Sequence, residues 1–244
     1  MDSASYISGI SFRFVKPHGP VPSALRAFGI FARILQRFNI LLDVTNTKLP
    51  HNPKEMKAAL YEICKIPKMS TFAIGALINY GVSQMPDDQV FVNIGVWNGF
   101  TLLAAMMNNP EKRCIGVDNF SESGGPRQAF NERFEEFRSP SHSFFEMDYR
   151  EYFSRVHKGP IGFYIYDGNH SYENQLKGLE VADPFLAQNS IILVDDINWA
   201  EPRQATLDFI SKRSHEYRVI FDQKTRSNRH PTFWNGIMVL QRMG

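Results

Sequence analysis

From residue 90 to residue 213, short apolar runs alternate with longer stretches whose apolar positions recur every three to four residues. The runs at 90–94, 114–117, 143–147, 163–166 and 191–194 predict strands. The stretches at 101–107, 128–137, 149–156, 172–186 and 203–213 predict amphipathic helices. A strand, a helix and a second strand make a βαβ unit, whose right-handed crossover leaves the strands parallel and covered on both faces. Strand-like runs at 217–221 and 236–240 are separated by a polar segment, 222–233, with no helical period, so this pair is expected to be antiparallel. The fold predicted is α/β: a doubly wound, seven-stranded, mostly parallel sheet with an antiparallel last strand.

Before residue 85 the pattern is different. Residues 1–22 are rich in Ser, Gly and Pro and read as an arm. Over 23–42, Leu25, Phe28, Phe31, Ile34, Leu35, Phe38, Leu41 and Leu42 recur at helical spacing with Arg26, Arg33 and Arg37 on the opposite side. Such a helix packs on its own domain or on a second subunit, and a basic face can also rest on a membrane surface. Further helices are expected at 54–63 and 71–79, the second capped by the Ser70 hydroxyl. The predicted organisation is an N-terminal helical extension, 1–85, serving as cap or homo-oligomer contact, and a catalytic domain, 86–244.

The 244 residues, 43% of them hydrophobic, are enough for a full-sized core. Twenty-seven basic against 25 acidic residues give a net charge of +2, which carries no electrostatic demand for nucleic acid, so a small-molecule substrate is the expectation. Cys64 and Cys114 lie in apolar contexts and read as reduced core thiols, which fits a cytoplasmic location. The start of the chain has no signal-peptide pattern, and no segment offers the ~18 uninterrupted apolar residues of a spanning helix.

The first predicted strand runs into a turn bracketed by Gly95 and Gly99 and then into a helix, the form of a cofactor turn at the carboxyl end of a sheet. Two glycines there can also serve only tight strand-to-helix packing. Trp97 stands where a dinucleotide fold wants its second glycine, which disfavours a nicotinamide cofactor. Asp118 ends the second strand where a ribose diol would be gripped, with an N-cap or loop role as the alternative. Asp148 repeats that placement after the third strand, near an adenine; Asn119 and Tyr149 flank these acids and are grouped with them as cofactor-binding candidates. Asp167, Asp195 and Asp196 follow the next two strands. Three converging carboxylates repel one another unless a cation or hydrogen bonds offset the charge, and oxygen donors suit a hard divalent ion such as magnesium. Trp97, Phe120, Tyr149, Trp199 and Trp234 are candidate pocket walls, whereas His142, His157, His215 and His230 show no ligand spacing and are expected at the surface.

The segments IGVWNGFT, IGVDNFS, YDGNHSYENQ and ILVDDIN together resemble class I methyltransferases, most closely the macrocin-type sugar and natural-product O-methyltransferases and more distantly catechol O-methyltransferase. The resemblance implies a Rossmann-like fold, S-adenosylmethionine as cofactor, and often magnesium-dependent transfer to a hydroxyl. By position it assigns Gly95, Asn98 and Gly99 to the floor under the methionine part, Asp118 to the ribose, Asp148 to the adenine, and Asp167, Asp195 and Asp196 to the metal. The sequence departs from the family at Asn93, where an acid is usual, and at Asn169, which matches the macrocin-type base but cannot take a proton at neutral pH. His170, at the position of the catechol enzyme's lysine, becomes the candidate base beside Asp167; its alternative is to orient the start of the following helix. A metal-independent methyltransferase and a non-catalytic binding protein that retained the fold are the competing expectations.

Overall fold

The computed structural model describes residues 7, 9–19, 35, 38, 40–49, 54–121 and 125–243. A two-residue strand β1 (Ser11–Phe12), helix α1 (Leu42–Asn46) and strand β2 (Thr47–Lys48) precede helices α2 (Lys54–Ile63) and α3 (Phe72–Ser83). The alternating part runs β3 (Val90–Ile94), α4 (Phe100–Met106), β4 (Arg113–Asp118), α5 (Arg127–Phe137), β5 (His142–Glu146) and α6 (Tyr149–Glu151), which continues as a π-helical turn, Tyr152–Val156. Then come β6 (Ile161–Tyr166), α7 (Tyr172–Ala182) with a 3-10 turn Asp183–Phe185, β7 (Leu186–Val194), α8 (Ala200–Ser211), β8 (Tyr217–Gln223) and β9 (Ile237–Arg242).

The main sheet has the order β5-β4-β3-β6-β7-β9-β8. β3 pairs in parallel with β4 and β6, and β9 lies antiparallel between β7 and β8, so the last strand is the reversed one, as expected. All five residues of β3 are buried because both faces are covered. Phe91 points into the layer of α2, α3 and α4, whereas Val90, Val92 and Ile94 point into that of α7 and α8, against Leu179, Ala182 and Phe209. The edge strands β5 and β8 are partly exposed, and β8 carries Arg218 and Asp222, charges that discourage pairing with another chain.

Most of the helix expected over 23–42 lies outside the described residues. Its predicted end is not helical: Leu41 is extended, and α1 starts at Leu42. The arm over Phe14 and Val15 is tied down by the buried Asn46 side chain, which accepts from both backbone N–H groups and donates to the Val15 carbonyl. Helix α3 is capped by Thr71 rather than by Ser70 and runs to Ser83, past the predicted end. Thr71 also donates to the Thr232 carbonyl, and Asn79 donates to the Ala104 and Met107 carbonyls, so α3 shares one core with the sheet. Three of the histidines expected at the surface are buried instead: His142 accepts from Ser139 N and meets the Asn109 carbonyl, His157 lies between the Tyr152 hydroxyl and the Gly159 carbonyl, and His230 pairs with Thr232. Hydrogen bonds to both local and distant partners offset the burial, a signal that metal-ligand spacing does not register. Among the described residues no helix is long and apolar enough to cross a membrane.

Helix α7 lies close to the sheet because Gly178 leaves room for the Tyr166 ring, which a Cβ there would overlap. Gly178→Ala should therefore lower the unfolding free energy by about 1–3 kcal/mol, as overpacking does, measured by urea denaturation; an unchanged midpoint would show that the two elements separate without cost.

Candidate active site

The chain leaves β3 toward β4 and β5, then returns to β6 on the other side of β3. Loops at the carboxyl ends of β3 and β6 diverge at this switch point, which is where open α/β sheets bind ligands. A cavity of about 500 Å³ opens there.

Gly95 makes the turn possible. Its φ is +78°, and a Cβ would overlap the Asp167 carbonyl, so the close approach that requires glycine is to the end of β6. The Asp118 carboxylate fixes the rest of the turn. Its Oδ2 accepts from Val96 N at 2.8 Å and Trp97 N at 3.1 Å, and its Oδ1 accepts from Phe120 N at 2.7 Å. A carboxylate has about four acceptor positions, so one remains toward the cavity that Asp118 lines. Beneath the turn, buried Asn93 donates to the Gly95 carbonyl at 2.9 Å, a bond that an ionised acid cannot make.

The proposed cofactor residues divide. Gly95, Asp118, Asn119, Asp148 and Tyr149 line the cavity, whereas Asn98 and Gly99 do not. Asn98 Oδ1 accepts from Arg133 at 2.8 Å, and Gly99, at φ +97°, caps α4 with its Cα against Phe130. These two shape the helix start from the far side. Asp148 caps α6 through Arg150 N and pairs with the Arg150 guanidinium, which holds its carboxyl below the usual range. Trp97, Phe120, Tyr149, Trp199 and Trp234 all line the cavity, as expected of walls.

The acidic residues meet at the ends of β6 and β7, in a grouping different from the expected one. Ligand atoms of Asp167, His170 and Asp195 lie within 4.8 Å of one another. Asp196, at φ +54°, turns toward Asn235, whose amide donates to its Oδ1 at 2.6 Å, while its Oδ2 lies 3.2 Å from His170 Nε2. Asp195 Oδ1 is buried with no hydrogen-bond partner, the kind of oxygen a cation satisfies. Burial, followed by repulsion from Asp196, pushes the Asp167 carboxyl well above the ordinary range; burial, followed by repulsion from Asp167 and Asp196, does the same to Asp195. Burial also raises Asp196, opposed by His170. The donor set therefore fits a small hard cation, with Asp167 and Asp195 supplying oxygens and His170 within reach.

His170 does not cap α7. Ser171 does, accepting from Asn174 N, and Asn169 Oδ1 shapes the approach by accepting from Ser171 N and the Asn174 amide. The His170 ring instead packs edge-on against Trp199 at 5.5 Å, facing the carboxylates. Lys68, Met69, Ser70, Arg229 and Asn235 also line the cavity and escaped the sequence reading. They come from loops with no motif; the Asn235-Gly236 turn, with Gly236 at φ +84°, was the one local signal.

Residues 92–197 match the family described as "Methyltransferase domain", a span covering β3 to the turn after β7. No curated protein matches the sequence. Among solved structures, the chain is similar to a putative O-methyltransferase from Klebsiella pneumoniae (12% identity, 88% of this chain and 97% of that one, TM-score 0.58). It is also similar to a cofactor-bound protein from MTB (13% identity, 92% and 98%, TM-score 0.57). A third likeness is to the O-methyltransferase TomG from Streptomyces achromogenes, involved in tomaymycin synthesis, in complex with SAM (11% identity, 88% and 98%, TM-score 0.53). At these identities the structures share the fold, a class I Rossmann-like methyltransferase fold, and the family match falls on its central part.

Asp118→Ala leaves two backbone donors of the turn, Val96 N and Trp97 N, and Phe120 N of its own loop without their acceptor. It should cost about 2 kcal/mol of stability or more and weaken binding of S-adenosylhomocysteine at least tenfold by calorimetry; wild-type affinity in a folded variant would separate Asp118 from the cofactor.

Proposed function

We propose that this S-adenosylmethionine-dependent methyltransferase methylates a hydroxyl of a small molecule, assisted by a divalent cation such as magnesium and by His170. The observation that carries this reading is the convergence of Asp167, His170 and Asp195 beside the Gly95–Asp118 turn. The turn and Asp118 receive the adenosyl and ribose parts, with Asp148 and Tyr149 toward the base, so that the donor's methyl faces the carboxylates. S-adenosylmethionine supplies an electrophilic methyl on a sulfonium. The rest falls to the chain, which must align the acceptor in line with that methyl and take its proton.

Asp167 and Asp195 would hold the cation through their oxygens, and the ion would supply Lewis acidity that favours the ionised form of the acceptor hydroxyl. The His170 imidazole takes the hydroxyl proton at Nε2, the nitrogen that faces the carboxylates, and Asp196, 3.2 Å from that same nitrogen, stabilises the imidazolium that forms. Asn235 holds Asp196 in that position. Trp199 and Trp234 limit water around the reacting atoms. The N-terminal segment is proposed to cover the acceptor side and to mediate homo-oligomer contacts; Lys68, Met69 and Ser70 already reach the cavity wall. The place of work is proposed to be the cytoplasm.

Two results test this. A strong chelator should reduce methyl transfer at least tenfold, with recovery on added magnesium and with S-adenosylhomocysteine binding intact; undiminished transfer would assign the carboxylates a purely hydrogen-bonding role. His170→Ala should lower kcat about a hundredfold or more while magnesium affinity is kept; loss of magnesium binding would make His170 a ligand rather than the base.

A further inference from the structure

Four cationic or potentially cationic side chains line the cavity: Lys68, Arg150, His170 and Arg229. Three are committed within the protein. Lys68 pairs with Asp43 at 3.0 Å, Arg150 pairs with Asp148 at 3.0 Å, and His170 faces Asp167 and Asp196. The Arg229 guanidinium has neither an ion pair nor a hydrogen bond among the described residues, although five aspartates line the same cavity.

The backbone that carries Arg229 is held firmly. Its N–H donates to Asn235 Oδ1 at 2.8 Å, and the amide of Asn235 reaches Asp196, so the arginine is tied to the catalytic group through a single residue. His230 and Trp234 pair through two backbone bonds of 2.8 and 2.9 Å. Asn198 clamps the start of the loop, donating to Thr225 and Asn228 and accepting from Thr225 N. The left-handed φ of Arg229, +58°, is fixed by these contacts and sets where the side chain leaves the loop. An exposed arginine at the wall of a ligand cavity, on a backbone fixed by hydrogen bonds and with its charge uncommitted among the described residues, is suited to select a ligand by charge.

We infer that Arg229 receives a carboxylate of the methyl acceptor, so that the substrate class is a hydroxylated carboxylic acid rather than a neutral alcohol or sugar. This rests on the proposed hydroxyl methylation at the same site. A guanidinium presents paired donors that match the two oxygens of a carboxylate. A phosphate would bring up to two charges, and no second uncommitted cation is present among the described lining residues to balance the other. With the carboxylate at Arg229, the hydroxyl is the end left to enter the group formed by Asp167, His170 and Asp195. Trp199 and Trp234 line the same cavity.

The test uses the full-length protein saturated with S-adenosylhomocysteine and magnesium, titrated by calorimetry with 3,4-dihydroxybenzoate and with catechol, which differ by the carboxylate. Wild type should bind the carboxylate probe at least tenfold tighter than catechol. Arg229→Gln should bring the two probes to within about twofold, and Arg229→Lys should keep part of the preference. Equal binding of the probes by wild type, failure of both to bind, or a preference that survives Arg229→Gln would each overturn the inference. Binding of S-adenosylhomocysteine itself is measured first: its absence in wild type defeats the methyltransferase reading, whereas its presence with no carboxylate preference defeats the role of Arg229 alone.

Discussion

The contact between the Gly95 turn and the Asp167 carbonyl, where β3 and β6 end side by side, sets the geometry on which the site depends. These strands are neighbours in the sheet but far apart in sequence, because the chain winds one way through β4 and β5 before returning. The turn after β3 can lie flat against the end of β6 only without a Cβ at residue 95. Asp118 then locks the turn from the β4 side through two of its backbone N–H groups, while a third bond, from Phe120 N, fixes the carboxylate in its own loop. One acid thus joins the ends of β3 and β4, and one glycine joins the ends of β3 and β6.

Opposite that turn the electrostatic balance is reversed. Asp118 and Asp148 are satisfied by backbone N–H groups and, for Asp148, by an arginine. Asp167 and Asp195 stand half-buried beside each other with their carboxyls pushed upward, and one buried Asp195 oxygen has no hydrogen-bond partner. Acids withdrawn from water in this way cost stability unless a ligand or ion compensates them. The fold concentrates that cost where the cavity is, at the ends of β6 and β7, and Asn235 holds Asp196 3.2 Å from the His170 imidazole.

The sheet was legible because each central strand is buried on both faces and therefore reads as an unbroken apolar run, as β3 does. Asp118, Asp167 and Asp195 were legible for a related reason: a carboxylate directly after such a run must stand at the carboxyl edge. What a strand end cannot show is the direction taken one residue later. Asp196 was grouped with the metal acids, yet its left-handed backbone turns it to Asn235 and leaves His170 as the third member of the compact group. Asn98 and Gly99 sit in the right loop but face α5. Asn235 was invisible in the sequence because it joins the site through a side-chain bond to Asp196, distant in the chain, and Arg229 because it is held by that same Asn235 on a loop without periodicity.

The proposed function requires that the crevice between the Gly95 turn and the edge formed by Asp118 and Asp148 take an adenosyl group. A crystal structure grown with S-adenosylhomocysteine and magnesium tests it most directly. It should show the ribose hydroxyls on Asp118, the adenine beside Tyr149 and the ion on Asp167 and Asp195. A nucleoside seated elsewhere, or a crevice filled by the Trp97 indole, would contradict it.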